Sequence, residues 1–289
     1  AAKTLRELDP AAGIDIFGEE KYPYYPRPNL IPFLGDGLPY EKLFALPEGW
    51  TERQRIGLHL GASVTTIRPD ERTIETSTGA SFPYDVLLLA TGARAAVPPL
   101  AGIGQKGVFV LRTLDDAQAI LDHLRDHKRA VVLGGGLLGL EIARAICGRG
   151  AEVRVIEYFD RLLPRQLDAE AARILKLQFE KMGISIRLGM ATREILGDGE
   201  VRGLKFEGGE EVEADLVIIA AGIRPELKLA KQAGVAVNRG ILVDDRLRTS
   251  RPEIFAAGDA AEHRGRIYGI IPASFEQARA AAYNMIGQD

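Results

Sequence analysis

Short apolar runs alternate with longer amphipathic stretches along most of the chain. Ala130–Leu133 is wholly apolar, as a strand buried on both faces requires. Glycines follow at 134, 135 and 136, and then Leu140, Ala143 and Cys147 recur at helical spacing. Gly148 and Gly150 stop that helix, and Val153–Ile156 is the next apolar run. The pattern predicts strand, turn, helix, strand, with Cys147 on the buried side of the helix. The opening residues repeat the back half of this layout. Ala1, Leu5 and Leu8 share one helical face, "DPAAG" breaks the helix, and "IDIF" reads as a strand followed by Gly18-Glu19. Laid on the central copy, Ala1-Ala2 falls on Ile142-Ala143, so the repeat implies a first strand and a first glycine turn ahead of Ala1. Towards the other end, Pro272 opens a helix and Gly287 closes it, with Ala273, Gln277, Ala280 and Ala281 as a smooth packing face.

The central turn has a specific chemistry. Gly134, Gly136 and Gly139 stand at G-x-G-x-x-G spacing between a strand and a helix. Gly134 permits the tight turn, Gly136 lets backbone approach a pyrophosphate, and Gly139 lets the helix pack closely on the strand. The first helical residues, Leu137 and Leu138, then present free N–H groups and a positive dipole end to phosphates. Glu157 ends the second strand, where a carboxylate accepts hydrogen bonds from a ribose diol and repels a 2′-phosphate. That favours NADH over NADPH, with Arg161 as the opposing signal. Three further strands end in small residues: Ala90-Thr91-Gly92, Ala220-Ala221-Gly222 and Gly258-Asp259.

Composition narrows the class. A chain of 289 residues suggests two domains, and 46 % apolar with 27 % charged residues is globular. A net charge of −3 argues against nucleic-acid or anionic-membrane partners, and no apolar run is long enough for a membrane span. The single cysteine, Cys147, forms no internal disulfide, reads as an inert core thiol and fits a reducing, cytoplasmic compartment. The histidines at 59, 123, 127 and 263 show no metal spacing with Cys or acids, so no metal is expected.

The strand-end motifs in this order resemble the flavoprotein reductases of the pyridine nucleotide–disulfide oxidoreductase superfamily, over the whole chain. "EEKYPYYPRPNL", "LRTLDDAQAI" and "LLPRQLD" resemble its rubredoxin/ferredoxin reductase group and the FAD–NAD region of the nitrite reductase large subunit. The resemblance implies an α/β fold of two Rossmann-like, three-layer dinucleotide-binding domains, the NAD domain inserted in the FAD domain. Residues 1–106 and 240–289 would bind FAD and 107–239 NAD, with crossings near Gly107 and Gly240. It implies that Glu19 binds the adenosine ribose of FAD, that Val64 touches the adenine, and that Arg27 and Arg112 approach the FAD phosphates. Ala90, Thr91 and Gly92, with Gly222, line strand ends near a ligand. Asp259 beside Gly258 would bond the ribityl chain, and Ile271, Pro272 and Ala273 would bring a helix N-terminus beside the flavin. Glu141 resembles the acid that approaches the nicotinamide.

Disulfide reductases need a cysteine pair beside the flavin, and single-cysteine relatives carry one after the first acid strand; this chain has neither. Many relatives also place a lysine near the flavin where Pro32 stands here. The implied activity is hydride transfer from NADH to FAD, then electron delivery to a small iron-protein acceptor or a fused reductase module. A nitrite reductase segment and a non-turnover NADH-sensing module are the alternatives. The family continues into a C-terminal interface domain, so a longer, dimeric parent is also expected.

Overall fold

The computed structural model describes Ala1–Gly287. It divides into two compact units. The first comprises Ala1–Tyr24, Leu46–Arg94 and the chain from Arg224 onward, and the second comprises Tyr25–Ala45 and Ala95–Ile223.

In the second unit, five parallel strands run in the order Ser185–Arg187, Glu152–Ile156, Arg129–Leu133, Leu216–Ile219, Val108–Val110. Alternation along the strands fills both faces. Val131, Leu133, Val217 and Ile219 pack on Ile195, Leu204, Phe206 and Val212 of an antiparallel meander built from Thr192–Gly197, Val201–Phe206 and Glu211–Glu213. Their alternates Val132, Val155 and Ile218 are 0 % exposed, and helices Leu114–His123 and Leu137–Cys147 pack on this sheet. The result is the expected α/β, three-layer arrangement. Helix Leu114–His123 starts at a capping box, in which Thr113 and Asp116 exchange side-chain and backbone bonds.

Tyr25–Ala45 belongs to this unit, which the sequence did not predict. Its helix Leu30–Leu34 buries Leu30, Ile31, Phe33 and Leu34 and packs on helices Leu114–His123 and Leu137–Cys147. Each such burial stabilises by about 1.5–3 kcal/mol. Gly35 lies so close that an added Cβ would stand 2.7 Å from the Ala145 backbone. Arg149 donates to the Leu34 carbonyl at 2.5 Å, and Tyr25 Oη accepts from the Leu114 N–H at 2.9 Å.

The first unit holds two separate parallel ladders, Asp15–Gly18 on Gly57–Leu60 and Ile254–Ala256 on Leu87–Leu89. No strand among the described residues joins them. A third parallel pair links Ile241–Val243 with Ala261–His263, and Val64–Arg68, Thr73–Thr76 and Ser81–Pro83 form an antiparallel meander. Its core gathers Ile67, Ile74, Leu89, Ile241, Ile254 and Ala256. Helix Ala2–Leu8 packs against helix Ile271–Met285. Its buried residue is Arg6, with Ala1, Leu5 and Leu8 only half-buried. The Arg6 guanidinium donates to the carbonyls of Gln54 and Arg55, both at 2.8 Å, and of Pro10 at 3.0 Å.

The units change over after Arg94 and after Ile223, not near Gly107 and Gly240. The reason is where the linking residues bury themselves. Leu100 and Ile103 pack on the second unit's core, whereas Ala230, Ala233 and Val235 are part of the first unit's core.

Candidate functional site

The second unit carries the better-formed site. Gly134 adopts φ +121°, and an added Cβ would stand 2.5 Å from the Ala220 carbonyl oxygen. At Gly139 a Cβ would fall 2.0 Å from the Gly134 carbonyl oxygen. Both positions therefore exclude a side chain, one by turn geometry and contact, the other by contact with the turn itself. This places the end of strand Leu216–Ile219 directly against the glycine turn. Gly222, at φ +94°, lies just beyond it. Gly136 differs: nothing lies within 4 Å of its absent Cβ. It is the N-cap of helix Leu137–Cys147, and no side chain caps that helix. Leu137 and Leu138, which open the uncapped first turn, are 60 % and 36 % exposed. An uncapped helix start over a glycine cradle is a fit for a pyrophosphate.

Glu157 is buried at 6 % exposure. Its Oε2 accepts from the Gly135 N–H at 2.5 Å and its Oε1 from the Phe159 N–H at 2.9 Å. The carboxylate braces the turn and keeps acceptor capacity for a further donor. Gly135 is a further position of the turn that the spacing argument missed. A Cβ there would press on Leu162 Cδ2 at 2.6 Å and on Glu157 Oε2 at 3.0 Å; the unbroken run of three glycines was the available signal. Tyr158 and Phe159 are exposed beside it, their rings edge to face at 5.4 Å. Arg161 follows on the same loop, reaching Asp160 at 3.4 Å and the Pro164 carbonyl at 3.5 Å. Glu141 sits on the exposed side of the helix. Cys147, read from the sequence as a core thiol, is instead only half-buried at the helix end, its Sγ 3.5 Å from the Met182 carbonyl oxygen.

Arg27 and Arg112 also belong to this unit. Arg27 donates to Tyr25 Oη and lies over its ring at 5.0 Å. The Arg112 N–H donates to Asp116 Oδ2 at 2.9 Å, just ahead of the capping box.

In the first unit the implied residues gather at strand ends. Strands Leu87–Leu89 and Ile254–Ala256 are parallel, and the Ala257 N–H donates to the Leu89 carbonyl at 3.1 Å. Ala90, Thr91 and Gly92 therefore emerge at the same end as Gly258 and Asp259, the carboxyl end where α/β sheets bind ligands. Thr91 Oγ1 donates to the Glu226 carbonyl at 3.0 Å, so its hydroxyl fixes the strand exit. Gly258 takes φ +82°, and its N–H donates to Gln277 Oε1 at 2.8 Å. Gln277 is thus more than packing surface: it ties the turn to helix Ile271–Met285. That helix begins at Ile271, Pro272 and Ala273 with no side-chain cap. Glu19 follows strand Asp15–Gly18 and is exposed, and Val64 opens the meander.

A family model described as pyridine nucleotide-disulphide oxidoreductase matches residues 1–283. A nitrite reductase [NAD(P)H] of Bacillus subtilis is 40 % identical over 274 residues, 95 % of this chain and 34 % of that protein. A rubredoxin-NAD(+) reductase of Pseudomonas putida is 34 % identical over 273 residues, 94 % of this chain and 71 % of that protein. The crystal structure of a ferredoxin reductase from Rhodopseudomonas palustris superposes with a TM-score of 0.92 at 30 % identity, covering 99 % of this chain and 73 % of that one. The chain spans about a third of the length of the nitrite and nitrate reductase relatives, from 30 % to 36 %. No helix of the described residues is long and apolar enough to cross a membrane.

Proposed function

Because the chain belongs to the pyridine nucleotide-disulphide oxidoreductase family, we propose that it is the FAD- and NAD(H)-binding part of an oxidoreductase that takes a hydride from NADH and delivers electrons to an iron-protein acceptor. The observation that carries this reading is the glycine turn of the second unit, with its open helix start and buried Glu157. There the first-turn N–H groups after Gly136 hold the NADH pyrophosphate, and Glu157 takes the ribose hydroxyls while bracing the turn. Leu137 and Leu138 shed water from the site, and Glu141 orients the nicotinamide end. In the first unit, Glu19 holds the adenosine ribose of FAD, Val64 meets the adenine and Asp259 the ribityl hydroxyls. Bound FAD supplies the two-electron acceptor that no side chain here provides. The residues at 271–273 set a positive helix end beside it, which favours added negative charge. The protein's contribution is chiefly orientation and exclusion of water.

The 40 % identity to nitrite reductase supports a second reading of the acceptor, a reductase module continuous with this segment. Anaerobic rapid mixing of the FAD-loaded chain with NADH tests the shared core. Fast, complete loss of oxidised-flavin absorbance is expected, and its return on adding oxidised rubredoxin or ferredoxin assigns a free iron-protein acceptor. A slow, stable complex with no bleaching would mark a nucleotide sensor and refute the reading.

A further inference from the structure

His123 ends helix Leu114–His123 and His127 follows one turn later. The fold brings to them Glu200, from the turn between strands Thr192–Gly197 and Val201–Phe206. One ring nitrogen of each histidine and a carboxylate oxygen of Glu200 all lie within 4.8 Å of one another. The two rings are stacked, with centroids 4.0 Å apart. Each ring spends one nitrogen on a backbone carbonyl: His123 Nε2 on Asp215 at 2.9 Å, and His127 Nδ1 on His123 at 3.1 Å. A carbonyl only accepts, so those nitrogens are the donors, and in a neutral imidazole the other nitrogen of each ring is the one with a lone pair for a metal. Outer partners orient metal-ligating imidazoles in this way. Glu200 Oε1 is held by Lys106 Nζ at 3.0 Å and stands 3.9 Å from His127 Nε2. The site opens on a cleft of about 460 Å³ that Asp198 and Asp215 also line.

We propose that His123, His127 and Glu200 form a site for a divalent cation of the zinc class, with water completing the shell. Two imidazoles and a carboxylate are a donor set that zinc takes at bonds of about 2.0–2.2 Å. The side chains of His127 and Glu200 are 32 % and 45 % exposed, so both have room to turn inward. Lys106 is the built-in competitor, because it must release Glu200 when the ion binds. The ion fastens the helix end to the hairpin turn, so it binds the folded chain and stabilises it by linkage.

Calorimetric titration of the chelator-stripped full chain with zinc chloride, alongside thermal melting, tests this. One equivalent saturates and raises Tm. His127→Gln and Glu200→Gln, both at part-exposed positions, weaken binding at least tenfold and remove the Tm rise, while Lys106→Met tightens binding. Absence of saturable binding, or the same affinity in His127→Gln and Glu200→Gln as in the unmodified chain, would overturn the site.

Discussion

Glu157 and Glu19 follow corresponding strands of a duplicated layout, yet the structure treats them differently. Glu157 is 6 % exposed and accepts two backbone N–H bonds, one of them from the glycine turn. Glu19 is exposed. The difference teaches where an acid at a strand end gets its environment. The second unit supplies a continuous sheet with a glycine turn packed against strand Leu216–Ile219. The first holds ladders Asp15–Gly18/Gly57–Leu60 and Ile254–Ala256/Leu87–Leu89, with no strand between them among the described residues. A carboxylate is buried at low cost only where fixed N–H groups meet it.

The largest effect on nucleotide binding that sharpens this contrast is expected from Gly139→Ala. Its Cβ has no room beside the Gly134 carbonyl, 2.0 Å away, so the helix must back off the turn. Overpacking of this kind costs about 1–3 kcal/mol, and the displaced N–H groups weaken NADH binding by about tenfold or more. A fluorescence titration with NADH reads the change. Next is Glu157→Ala, which strips the turn of two charge-assisted bonds. Denaturant unfolding should show a loss of about 3 kcal/mol, whereas Glu19→Ala should leave stability nearly unchanged and lower FAD retention. Equal losses in the two variants would erase the comparison.

Within the first unit, Arg6→Met removes a buried guanidinium that serves the carbonyls of Gln54, Arg55 and Pro10. A drop of about 2–4 kcal/mol in unfolding free energy is expected. The smallest effect is on pH. Hydrogen bonds from Arg264 and then His263 hold the Asp245 carboxyl down from 3.8 to about 2. Its contribution to stability is therefore present above about pH 4 and fades as pH falls towards 2. Melting curves across that range should lose a small component in Asp245→Asn, and identical pH profiles would remove it.

The contrast also explains what the sequence could disclose. Gly134, Gly139 and Glu157 are legible because their partners lie within one strand-turn-helix-strand unit and the spacing carries the geometry. Strands Arg129–Leu133 and Glu152–Ile156 fall where apolar runs predict them, one residue longer at the start. The rest depends on distant partners. Arg6 looks like a surface arginine until Gln54 and Arg55 arrive beside it. Segment Tyr25–Ala45 joins the second unit through Leu34, Gly35 and the Tyr25 hydroxyl, contacts that no local pattern announces. The histidines at 123 and 127 show no metal spacing in the sequence, because Glu200 reaches them only through a hairpin turn. Glu19, Val64 and Asp259 were reached through family resemblance, not through a local rule.

The central claim is that two nucleotide sites, each built in its own unit, serve one electron path. Equilibrium dialysis of FAD and NADH against the Gly139→Ala and Glu19→Ala chains tests it most directly. The account predicts that Gly139→Ala keeps FAD and loses NADH, while Glu19→Ala loses FAD and keeps NADH. Variants that lose both cofactors together, or neither, would contradict it.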